Sequence, residues 1–131
     1  MSDYLKPVLD GDIRGVSSLG LAHVGDAVFE LMVRTWVCMR GASTARGLHK
    51  GTVEFVSAKA QAAALERILP ELCQEELAVY KRGRNAHISS SPRSSSHEEY
   101  HAATGIEALF GYLYLSGNTE RLNVLFKLII D

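Results

Sequence analysis

Between about Ser18 and Arg40 the chain sets Leu19, Val24, Val28, Leu31, Met32 and Trp36 at helical spacing, with Gly41 as the natural stop. That period predicts one long helix to which the other elements must fit. A second helical stretch opens near Ser43-Thr44 and runs, with a break expected within it, through Val53, Val56, Ala60, Ala64, Leu65 and Ile68 to Pro70. A third covers roughly Gln74 to Asn85, with Leu77, Ala78 and Tyr80 as its apolar face. From His87 to Ser96, six serines surround Pro92 and Arg93, which is loop composition. Order returns near His97, where Ala103, Ile106, Phe110, Leu113 and Tyr114 line a helix that Gly117 ends. A last helix follows Asn118-Thr119, with Leu122, Leu125, Leu128 and Ile129 facing inward. No segment alternates with period two and no internal repeat is visible, so the expected fold class is all-α.

At 131 residues the chain suits a single domain, expected to span 1–131. With 47% apolar and 22% charged residues it is neither disordered nor membrane-like in composition. The start, Met1 to Pro7, lacks a basic and apolar leader, so secretion and membrane insertion are not expected. Cys38 and Cys73 sit in helix-like segments with no ligand-spaced Cys or His, which argues against a zinc site or a disulfide framework and suits a reducing, cytoplasmic setting. Together with Trp36 they are expected in the core. The net charge of −1 is uninformative, because a basic face for phosphate and an acidic centre for metal nearly cancel.

Two acids stand out. Asp26 lies in the most apolar helix, directly after Gly25, and neither residue suits a helix interior. An ionised carboxylate in apolar surroundings costs several kcal/mol unless it is compensated. A cap or a paired cation is the commoner compensation, and a divalent metal is the other. Glu107 repeats the pattern among Ala103, Ile106, Leu109, Phe110 and Leu113. Carboxylates on facing helices can hold a hard cation such as Mg²⁺, which prefers oxygen ligands and keeps several waters. Glu30 is one turn beyond Asp26 and either supports the pair or bonds to Arg34. The run Lys81-Arg82-Gly83-Arg84-Asn85 and the weaker group Arg46, His49 and Lys50 read either as solvated basic surface or as phosphate contacts.

The segment Leu21-Ala22-His23-Val24-Gly25-Asp26-Ala27-Val28-Phe29-Glu30 resembles the first motif of ribonuclease III catalytic domains in their Mini-ribonuclease III form. Leu48-His49-Lys50, the segment Val56 to Ala62, the segment Lys81 to Ala86, and the segment Ala103 to Leu115 match the same family in the same order. The resemblance implies the ribonuclease III endonuclease-domain helical fold, a homodimer, and hydrolysis of double-stranded RNA with Mg²⁺, for which Mn²⁺ substitutes. It implies Asp26 and Glu107 as the catalytic and metal-holding acids. Contacts to RNA are expected at His49, Lys50, Lys59, Lys81, Arg82, Arg84 and Asn85. Small members of this type mature the ends of large-subunit ribosomal RNA in the bacterial cytoplasm or the plastid stroma, so that precursor is the expected substrate. They lack the double-stranded RNA-binding domain of the longer enzymes.

Two positions depart from the broader ribonuclease III pattern. Ala22 stands where those enzymes carry a glutamate, and Thr104 where they carry an aspartate. The Mini type is similar in this, and the departure leaves the number of metals per site open. Two other readings compete. One is a module that binds structured RNA without cutting it; the other is an all-α metal-dependent nucleotide hydrolase, for which the expected glutamate-rich helices are missing.

Overall fold

The computed structural model describes residues 3–7, 12–86 and 97–131. The described residues form six α-helices: α1 (Ser18–Met39), α2 (Ala45–Val56), α3 (Ala58–Ile68), α4 (Gln74–Arg84), α5 (His97–Leu115) and α6 (Thr119–Ile130). Short 3-10 turns at Ile13–Gly15 and Leu69–Glu71 precede α1 and follow α3. The serine-rich stretch expected as a loop, with His87 and Arg93, lies outside the described residues.

Local chemistry explains most boundaries. Ser17, Thr44, Ser57 and Asn118 each cap a helix by accepting a main-chain N–H three residues on, from Gly20, Gly47, Ala60 and Arg121. Ser57 also locates the break expected in the second stretch, because its extended backbone (φ −66°, ψ 153°) ends α2 and starts α3. Gly41 and Gly117, at φ +99° and +74°, follow the ends of α1 and α5.

The centre of the fold is α5, which packs against α1, α3, α4 and α6. It is buried almost all round, from Ala102 to Ile106 and again from Ala108 to Gly111. Phe29 of α1 meets Phe110 of α5 edge-on at 5.2 Å and Phe126 of α6 at 6.2 Å. Val33, Val37, Ile68, Ile106, Leu109, Leu113, Leu125 and Ile129 belong to the same core.

The long helix has the expected period but a different phase. Its inward residues are Leu21, Ala22, Gly25, Phe29, Val33 and Val37, the last four each one position beyond a member of the stripe read from sequence. Leu19 and Leu31 are exposed, Val24 is half-buried, and Val28, Met32 and Trp36 flank the core. The face that wins carries Ala22 and Gly25, whose small size lets α5 approach; bulk elsewhere on α1 does not. Cys38 and Cys73 are exposed rather than in the core. Trp36 is half-buried, edge-on to Phe55 of α2 and under the Arg40 guanidinium. On α4 the buried set is Glu76, Val79, Tyr80 and Gly83, so Tyr80 is buried as expected while Leu77 and Ala78 are half-buried at the edge of that face. Glu76 tolerates burial because Arg121 of α6 gives it two hydrogen bonds, at 2.8 and 2.9 Å. Among the described residues no helix is long and apolar enough to cross a membrane.

Candidate active site

Helices α1 and α5 cross with their backbones in contact. A Cβ added at Gly25 would lie 1.6 Å from the Glu107 carbonyl oxygen, and one at Gly111 would lie 1.9 Å from the Leu21 carbonyl oxygen. No side chain fits at either position, which is why glycine sits inside α1 despite its low helix propensity. The crossing sets Asp26, the residue after Gly25, beside Glu107, one turn before Gly111. The two acids that sequence marked as odd are therefore neighbours across one helix pair.

Their environments differ. Asp26 points to the exposed side of α1, so it does not carry the burial cost expected from its apolar neighbours in sequence. Residues adjacent along a helix point about 100° apart, and Gly25 faces the crossing while Asp26 faces out. Glu107 is the half-buried member. Burial, the nearby Asp26 charge and a hydrogen bond with the Asp26 side chain push it up to about 8, against an opposing pull from Gln61. Such a pair favours one shared proton or a cation between its members. None of the salt bridges formed among the described residues supplies that cation to Asp26 or Glu107.

The residues suit a hard cation in kind and in charge: two oxygen donors from facing helices, one open to solvent, with a positive charge wanting. Among the described residues no group of three or more His, Cys, Asp or Glu side chains gathers at one place, so two carboxylates are the acids on offer. Thr104 and Ala22, the two departures from the broader pattern, are buried. The Thr104 hydroxyl donates to the Tyr100 carbonyl at 3.1 Å. Glu30 is occupied by Arg34 in an exposed i,i+4 ion pair at 2.8 to 2.9 Å.

Sequence reasoning missed Gln61. It is 1% exposed, lies on the face of α3 that also buries Ala64 and Ile68, and influences Glu107 directly. A polar residue at i, i+3, i+7 spacing with two apolar ones was the available signal. Of the expected RNA contacts, His49 and Lys50 are exposed on α2, Lys59 on α3, and Lys81 and Arg82 on α4. Arg84 is half-buried, stacked over the Tyr80 ring and donating to Asn85 Oδ1 at 3.2 Å. Both α3 and α4 pack on α5, the helix that carries Glu107.

The Ribonuclease III domain family matches residues 19–118. The Mini-ribonuclease 3 of Clostridium tetani is 40% identical over 121 residues, covering 92% of this chain and 80% of that protein. The Mini-ribonuclease 3 of Brevibacillus brevis is 44% identical over 117 residues, covering 89% and 87%. The chain belongs to the Mini-ribonuclease III family. A crystal structure of a Fusobacterium nucleatum protein superposes with a TM-score of 0.84 at 33% identity, covering 94% of this chain and 99% of that one, so the helical arrangement is shared as well. As a Mini-ribonuclease III, the chain is an endoribonuclease of the ribonuclease III type.

Proposed function

We propose that this Mini-ribonuclease III is a Mg²⁺-dependent endonuclease for double-stranded RNA, with Asp26 and Glu107 as its catalytic, metal-holding acids and Mn²⁺ as a substitute cation. The observation that carries the reading is the acid pair across the Gly25–Gly111 crossing. When bound, the cation supplies an activated water and charge stabilisation for the phosphodiester. The chain's own residues prepare the rest. Asp26 offers its carboxylate from the exposed side of α1, where a phosphate can approach. Glu107 is anchored in α5, whose burial on nearly every side leaves its backbone little freedom. With two carboxylates on offer among the described residues, water and phosphate oxygens would complete the coordination.

The exposed side chains of His49, Lys50, Lys59, Lys81 and Arg82, with Arg84 and Asn85 at the end of α4, are the proposed contacts to the RNA backbone. Contacts to the phosphate backbone carry no base sequence, which suits recognition of duplex shape. We assign residues 1–131 to one catalytic domain acting as a homodimer. Leu31 and Met39, 60% and 82% exposed on α1, are apolar surface that a second copy would cover. The proposed substrate is precursor large-subunit ribosomal RNA, in the cytoplasm or the plastid stroma.

The test is cleavage of long double-stranded RNA with Mg²⁺, against a chelator control and Asp26→Asn. Undiminished cutting by the variant overturns the mechanism, and a monomer in sedimentation at working concentration overturns the dimer.

A further inference from the structure

Gln61 is a buried primary amide whose Nε2 makes no hydrogen bond of ordinary geometry among the described residues. Such a group is costly to leave unmatched, and protein cores seldom keep one without a use. It shares the inward face of α3 with Ala64 and Ile68, while the alanine-rich sequence of this helix lets it pack close to α5. The Glu107 carboxyl lies within its reach. We propose that Gln61 is a positioning residue for the metal site: its Nε2 donates to one oxygen of the ionised Glu107 carboxylate and holds that group in the orientation in which it serves as a ligand.

The residue type fits this role better than its alternatives. A lysine in the same place would bring a full positive charge to the acid pair and compete with the divalent cation. A methionine would fill the space without a donor. An amide steadies the carboxylate while leaving the site's negative charge intact, the arrangement by which outer partners orient metal ligands. The unmatched Nε2 then has a meaning. Its partner is the carboxylate that it steadies.

The inference rests on the reading that Asp26 and Glu107 hold a divalent cation, and the experiment separates the two. Mn²⁺ binding to the full chain is measured by calorimetry for wild type, Gln61→Met and Gln61→Ala, alongside metal-free melting curves and steady-state cleavage of double-stranded RNA. Gln61→Met should melt no lower than wild type without metal, since it removes an unmatched polar group at nearly constant volume. Its Mn²⁺ affinity should nevertheless fall by roughly 10-fold or more. Its kcat should fall with KM for RNA unchanged. Gln61→Ala should lose the same affinity while also melting lower, so that affinity follows the donor and not the packing. Wild-type Mn²⁺ affinity in either folded variant overturns the role of Gln61 alone. Absence of Mn²⁺ binding by the wild-type chain overturns the metal reading and this inference with it.

Discussion

Glu76 and Glu107 are both glutamates held against the body of the same bundle, and they have opposite fates. Glu76 on α4 receives the Arg121 guanidinium through two hydrogen bonds and accepts a further one from the Cys73 main-chain N–H at 3.0 Å. Its carboxyl is held below the usual range, chiefly by the Arg121 hydrogen bonds. Glu107 on α5 meets Asp26 instead, and burial with that like charge raises it to about 8. One acid is neutralised by the chain's own cation, and its job is to join α4 to α6. The other has no ion pair with a cation among the described residues, which is what the proposed metal site requires. The two glutamates thus differ by what faces them.

The largest effect should come from removing the unpaired site. Asp26→Asn should lower the rate of RNA cleavage by about 10³-fold or more, read as single-turnover cutting, while leaving RNA affinity within a small factor of wild type. Equal rates would erase the distinction between the two acids.

The geometry can be broken without touching charge. Gly25→Ala forces a Cβ into the Glu107 carbonyl and should destabilise the fold by roughly 3 kcal/mol or more in denaturant unfolding. A smaller loss would mean that α1 and α5 separate easily.

On the other side of the comparison, Glu76→Ala strands the Arg121 guanidinium and should cost about 2–3 kcal/mol, with no loss of Mn²⁺ affinity in the folded protein. The stabilising ion pair at Glu76 is present above the ordinary carboxylate range and is lost as pH falls through its lowered folded value.

Glu107 should give the reverse pH dependence. Because its folded value lies above its ordinary 4.5, the folded state holds a proton that the unfolded chain releases. Its contribution is full below about 4.5 and is lost as pH rises through about 8. Metal-free wild type should therefore lose melting temperature relative to Glu107→Gln between pH 5 and 9, on the order of several degrees, and Mg²⁺ should restore part of it. Parallel curves for the two proteins would show that Glu107 does not titrate as the structure requires. Smallest of all, Arg34→Ala should change stability by less than about 1 kcal/mol, because the Glu30–Arg34 pair is exposed.

Much of the molecule was legible before any coordinates. The period of apolar residues located the main helices, capping residues and glycines marked their ends, and the ordered motifs pointed to the family and to Asp26 and Glu107. These are local properties, carried by residues a few positions apart. The phase of α1, the exposure of Asp26, the burial of Glu76 and the approach of Gln61 to Glu107 depend on partners 45 or more residues away or on the opposite wall of a crossing. For α1 the decision was made by backbone contact at Gly25 and Gly111, since a stripe of larger apolar residues lay one position along and lost. Sequence by itself determined which residues were chemically unusual. Only the tertiary structure decided which of them meet, because charge and burial act through space and a helix crossing can join what the chain keeps 81 positions apart, as it does Asp26 and Glu107.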